Sequence, residues 1–283
     1  MTVSALRDPS NVFLWSSRAM ISKRVLSAVV FIPAFVLMVA YAPQWVFFAF
    51  IILLGGIGQW ELYRMFQRQG IQVYSVIGMI AGALVMLSFA RPEVAPLALF
   101  LAILGLLAWA VWSAMARGPE WGPMALTLFG LFYVSWLLGH ALGLRALPHG
   151  VEWIFFLVWV TWVGESAAYL LGSWIGRVPL APRLSPSKTV EGALAQLLFS
   201  VLAALVARYW FFPALQPREA VGVGLALGVI GQVGDLTESL LKRSTKVKDT
   251  GGIIPGHGGL LDRLDSLLFN TPALFYYARL FTS

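Results

Sequence analysis

Nine apolar runs, at residues 25–42, 44–63, 72–90, 94–115, 124–144, 153–175, 191–213, 220–241 and 262–281, constrain this chain more than any other feature. At about 1.5 Å per helical residue, a run of roughly 20 residues crosses a hydrocarbon core of about 30 Å. Backbone polar groups in lipid must be bonded within their own segment, which selects helix over irregular chain. The expected fold is therefore all-α, a polytopic integral membrane protein with about nine transmembrane helices. Only 12% of residues are charged and 59% are apolar, which excludes a water-soluble globule. Cysteine is absent, so disulfides, thiolate nucleophiles and zinc–thiolate sites are excluded as well. The first run follows Lys23 and Arg24 and ends in Ala40-Tyr41-Ala42, as a secretion signal would. Its length exceeds an h-region of about 7 to 15 residues, so it reads as a retained span.

With nine spans, 15 of the 20 lysines and arginines fall on the side that holds the N-terminus. That bias places the N-terminus and the even-to-odd loops in the cytoplasm, and the chain in the inner (cytoplasmic) membrane. The net charge of +7 comes from short clusters between apolar runs rather than a basic stripe, so nucleic acid is not an expected partner. Three regions follow. Residues 1–24 form a cytoplasmic N-terminal segment, either an interfacial helix on Val12, Phe13, Leu14 and Trp15 or a poorly ordered end. Residues 25–150 supply N-terminal transmembrane helices. Residues 151–283 form a transmembrane region with cytoplasmic loops 177–191 and 242–262, where the chemistry is expected.

In the first of these loops Pro179, Pro182 and Pro186 forbid a continuous helix. The next helix is expected just after Pro186, with Ser187, Lys188 and Thr189 at an N-terminus that either favours phosphate or is an ordinary cap. In the second, Asp235, Ser239 and Lys242 recur at spacings of four and three and share a helical face, with Gln232 and Glu238 near it. Five glycines among residues 251–259 then let backbone N–H groups approach an anion. Asp262 and Asp265, three apart, open the last helix on one face. Three carboxylates thus converge from two helices, either to be paired internally by Lys242, Arg243 and Arg263 or to hold Mg²⁺ beside a phosphate-rich substrate. His257 is a base, a phosphate donor or a bonded loop histidine. Glu165, inside the sixth span, is a functional candidate because a carboxylate at membrane depth is costly. Glu61 and Arg64 read as a local pair, and Gly222, Gly224 and Gly228 as helix-packing residues.

Ser239-Leu-Leu-Lys-Arg, Lys248-Asp249 and Pro255-Gly-His-Gly-Gly-Leu-Leu-Asp-Arg-Leu-Asp265 together resemble the signature of the phosphatidate cytidylyltransferases, or CDP-diacylglycerol synthases. Ser185-Pro-Ser-Lys-Thr-Val-Glu-Gly192 resembles a second block of that family, and Ala168-Tyr169 with Gly172 a third. The resemblance implies condensation of CTP with phosphatidic acid to CDP-diacylglycerol and pyrophosphate, with Mg²⁺ in two metal sites, in a homodimer. It implies Asp235, Asp262 and Asp265 as metal ligands. Asp235, Lys188, Lys242, Arg243, Lys248 and His257 would be catalytic, and Ser185, Ser187, Thr189, Ser239, Asp249, Gly258, Gly259, Arg263 and Glu165 would contact substrate. Glu165 departs from the family, which usually has Asp there. The competing readings are an ion- or proton-coupled secondary transporter, with Glu165, Asp235 and Asp262 as relay groups, and a CTP-dependent lipid kinase.

Overall fold

A computed structural model describes residues 33–91, 93–252 and 258–281. The expected N-terminal segment 1–24 and His257 lie outside them. The elements are α1 (33–41), α2 (Gln44–Gln67), α3 (Ser75–Ser88), α4 (Ala95–Arg117), α5 (Trp121–Gly130), α6 (Leu137–Ala146), α7 (Gly150–Ile175), α8 (Val190–Trp210), α9 (Pro217–Ser244) and α10 (Asp265–Phe281). A wide π turn, Leu131–Trp136, joins α5 to α6, so that the two form one rod. Each expected run contains a helix, and the protein is an all-α, multi-pass membrane protein. Among the described residues six helices are long and apolar enough to cross a bilayer. The helices α3 and α10 are shorter, at 14 and 17 residues.

Apolar side chains face outward as well as inward. Along α4, Leu97, Phe100, Leu101 and Leu104 are exposed, as suits a helix whose surroundings are lipid tails as apolar as leucine. Association in such a solvent needs close packing, and the C-terminal half obtains it with glycine. In the sequential stack α7, α8, α9, α10, a Cβ at Gly224 would strike the Ser200 carbonyl and Val201 on α8. Gly228 packs against Leu197 on the same face, whereas Gly222 meets open space. A Cβ at Gly234 would strike the backbone of Asp265, so α9 and α10 approach closely where their acidic residues lie.

The N-terminal half is joined by neutral hydrogen bonds. Gln59 on α2 donates to Tyr63 Oη at 2.7 Å and to the Gly78 carbonyl at 2.9 Å, and accepts from Ser135 Oγ at 2.7 Å. Tyr63 donates in turn to the Thr127 carbonyl at 2.8 Å. These buried partners tie α2 to α3, α5 and the π turn and leave the Gln59 amide satisfied on both its oxygen and its nitrogen.

One connection differs from the expectation. The chain after α7 forms an antiparallel hairpin of β1 (Pro179–Ala181) and β2 (Ser185–Thr189), and α8 starts only at Val190. Thr189 is the N-cap, its Oγ1 accepting from the Gly192 amide at 3.2 Å. Pro186 forbids helix behind it but does not oblige helix after it. Pairing with β1 holds Ser187 and Lys188 extended, and Thr189 provides the cap.

Candidate active site

Asp235 and Glu238 stand three residues apart near the C-terminal end of α9 and so share a face. Asp265, the first residue of α10, meets them across the glycine contact at Gly234. Oxygens of these three carboxylates lie within 4.8 Å of one another, an arrangement that can hold a metal ion. Two lysines enter the same cluster. Lys188 from β2 places Nζ 2.6 Å from Asp235 Oδ1. Lys242, one turn beyond Glu238, bridges Glu238 Oε2 at 2.6 Å and Asp262 Oδ1 at 2.9 Å.

Four carboxylates, those of Asp235, Glu238, Asp262 and Asp265, thus gather beside two lysines, whose ammoniums touch Asp235, Glu238 and Asp262 but not Asp265 in these contacts. Glu238 is 1% exposed, and its Oε1 is buried without a hydrogen-bond partner. A buried, unpartnered carboxylate oxygen is costly unless a cation or donor meets it. The excess of negative charge and the hard oxygen donors suit a divalent cation such as Mg²⁺ better than internal pairing alone.

Asp262 occupies a different position from the one expected for it. It sits in a 3₁₀ turn, Leu261–Arg263, ahead of α10. Its Oδ2 accepts from the amides of Gly259 at 2.8 Å and Thr250 at 3.1 Å and from Thr250 Oγ1 at 3.0 Å. Burial pushes the Asp262 carboxyl up, but the Lys242 ammonium and the Gly259 and Thr250 amides outweigh it and hold the group below the usual carboxylate range. Glu238, rather than Asp262, stands with Asp235 and Asp265. Asp262 reaches the cluster through Lys242.

The remaining candidates divide by place. Arg243 donates Nε–H to the Leu184 carbonyl at 3.0 Å and latches the hairpin to α9 instead of reaching the cluster. Ser187 is exposed on β2, Ser185 is half-buried there, and Thr189 caps α8. Lys248 and Asp249 are exposed after α9, and Ser239 is buried on it. Gly258 takes φ +82°, a conformation natural to glycine, and Gly259 is buried against Thr250. Glu165, Asp262 and Arg263, with Ser166 and Thr271, line a cavity of about 730 Å³ whose other lining residues are apolar, among them Phe35, Phe47, Phe50 and Leu157.

The expected pair of Glu61 with Arg64 does not form. The Arg64 guanidinium lies 4.6 Å from the Trp60 ring centroid, and Glu61 accepts from the Leu261 amide at 2.8 Å. Spacing thus misleads for Glu61, while Glu238, expected near the face of Asp235, joins the cluster itself. Glu238 carried a readable signal, its three- and four-residue intervals to Asp235 and Lys242. Glu61 carried none, because its partner is 200 residues away.

The Cytidylyltransferase family model matches residues 22–281. A phosphatidate cytidylyltransferase of Bacillus subtilis is 40% identical over 134 residues, covering 47% of this chain and 50% of that protein. One from Synechocystis is 42% identical over 117 residues, 41% of this chain and 39% of that protein. The protein YnbB of Escherichia coli is 40% identical over 147 residues, 50% of this chain and 49% of that protein. The chain spans about half the length of the curated relatives it matches.

Proposed function

Because the chain belongs to the cytidylyltransferase family, we propose that it condenses CTP with phosphatidic acid to give CDP-diacylglycerol and pyrophosphate. The observation that carries this reading is one juxtaposition. A cluster of carboxylates and lysines adjoins a largely apolar cavity of about 730 Å³, with Asp262 common to both. An amphipathic substrate with a phosphate head and hydrocarbon tails is the chemistry that such a pair of surfaces recognises. Its activity and substrates are transferred from relatives named phosphatidate cytidylyltransferase.

The lipid's phosphate monoester is anionic near neutral pH, so the reaction needs charge neutralisation and alignment more than a strong base. Asp235, Glu238 and Asp265 would hold Mg²⁺, which when bound offsets phosphate charge. Lys188 and Lys242 are held by carboxylates and keep further N–H donors for phosphate oxygens. Arg263, in the cavity lining, would meet the lipid phosphate while the apolar lining residues receive an acyl chain. A phosphate oxygen of the lipid attacks the α-phosphorus of CTP, and pyrophosphate leaves. We place the site on the cytoplasmic side of the inner membrane, on the strength of the 15 basic residues on that side, and assign the protein a homodimeric state from the family resemblance.

The test is purified protein in micelles with phosphatidic acid, Mg²⁺ and CTP labelled at the α-phosphorus. Label in the lipid with release of pyrophosphate is the expected result. Release of labelled CDP with unlabelled lipid product would identify a kinase, and no turnover at all would reject both enzymes.

A further inference from the structure

We propose that Glu61 on α2 is a positioning residue for the site, clasping the end of the glycine-rich loop so that Asp262 and Lys242 keep their places. The proposal rests on the cytidylyltransferase reading for its kinetic consequence, but the clasp is geometric. Glu61 is 1% exposed and lies in the N-terminal half, outside the carboxylate cluster. Its Oε2 accepts from the Leu261 amide at 2.8 Å, and Thr250 Oγ1 stands 3.5 Å away. The single Thr250 hydroxyl proton has its shorter contact with Asp262, at 3.0 Å, so the Leu261 bond is the principal one.

Two carboxylates thus hold the same stretch of backbone. Asp262 takes the amides of Thr250 and Gly259, and Glu61 takes the amide of Leu261 next to them. Glycine is what permits this approach. A Cβ at Gly251 would collide with Glu61 Oε1, and one at Gly259 would come within 2.7 Å of Glu61 Oε2. The backbone at Gly251 and at Gly259 therefore lies directly against the Glu61 carboxylate. Asp262 passes this register on, since its Oδ1 holds Lys242, and Lys242 holds Glu238.

The base of the clasp is rigid for a separate reason. Gln59 and Tyr63, four apart on α2, face α3, α5 and the π turn through their hydrogen bonds. Glu61, two residues from each, points from the opposite side of the helix. The neutral network fixes α2, and α2 then presents a charged acceptor to the loop.

Glu61→Ala and Glu61→Gln separate the clasp from ordinary packing. In Glu61→Ala the buried Leu261 amide has no acceptor, whereas the amide oxygen of Glu61→Gln can still accept its proton. The measurement is hydrogen exchange of peptides from residues 248–264 and from α7 and α8 in micelles, alongside steady-state kinetics with CTP and phosphatidic acid varied separately. Expected for Glu61→Ala is exchange roughly 10- to 100-fold faster in the loop alone and kcat/KM for CTP lower by a similar factor, partly recovered in Glu61→Gln. Unchanged loop exchange overturns the proposal. So does exchange that rises equally in α7 and α8, and so do kinetic constants that stay at wild-type values. If the unaltered protein transferred no cytidylyl group, the functional reading would fall, while loop exchange would still decide whether Glu61 holds the loop.

Discussion

Two buried polar networks of this membrane protein, one around Gln59 and one around Glu238, are built in opposite ways. Around Gln59 the groups are neutral and paired: Tyr63, Ser135, the Gly78 carbonyl and the Thr127 carbonyl each meet a partner at 2.7–2.9 Å. Around Glu238 the groups are charged and over-supplied with acceptors, and one buried oxygen has no donor. In a low-dielectric interior a satisfied neutral network specifies packing at little cost, whereas an incompletely compensated charged one persists where a ligand completes it. The first network holds helices, and the second gathers oxygen donors that can hold a metal ion.

That contrast is broken most severely at the carboxylates. Asp235→Asn, Glu238→Gln and Asp265→Asn each keep the side-chain shape and remove a charged ligand, and each should lower kcat by on the order of 10³-fold or more with the fold intact. Steady-state assays paired with a thermal melt check this; retained activity per folded molecule would assign the cluster to structure. Next in size is Lys188→Ala. A lost charge-assisted hydrogen bond is worth roughly 1.5–3 kcal/mol, so kcat/KM should fall about 10- to 100-fold, with Lys188→Arg recovering only part of it. Separate variation of CTP and phosphatidic acid shows which substrate the ammonium serves, and wild-type constants for both would reduce Lys188 to a partner of Asp235. The smallest effect on turnover belongs to the neutral network. Gln59→Leu leaves Tyr63 and Ser135 without their shared partner and should cost about 1–3 kcal/mol of stability, with activity per folded molecule within about twofold of wild type. A large loss of kcat there, with an unchanged melt, would erase the distinction between the two networks.

The helices were legible because lipid demands long apolar runs, and that demand is written locally in the sequence. Departures arose where a choice depended on distant partners. Proline at 179, 182 and 186 announces a break, but the choice of strand for Ser187 and Lys188 depended on the other arm of the hairpin. The three-residue spacing of Asp262 and Asp265 implies one face only on a regular helix. Asp262 precedes α10 in a separate turn, where its Oδ2 takes the loop amides and its Oδ1 reaches α9 only through Lys242, while Asp265 meets the α9 carboxylates directly. Glu238 was readable from its interval to Asp235 but was outweighed by the aspartates of the motif. Glu61 illustrates the limit, since a near neighbour, Arg64, offered a plausible partner and the actual one lies across the fold.

The proposed function requires Asp235, Glu238 and Asp265 to form one divalent-cation site. Titration of purified protein with Mn²⁺, followed by electron paramagnetic resonance in the absence of nucleotide, addresses it directly. Saturable binding by the wild type, competed by Mg²⁺, weakened in Glu238→Gln and lost in Asp235→Asn and Asp265→Asn, is the result predicted. Mn²⁺ that stays free with the wild type, or binds Asp235→Asn and Asp265→Asn as tightly as the wild type, would contradict it.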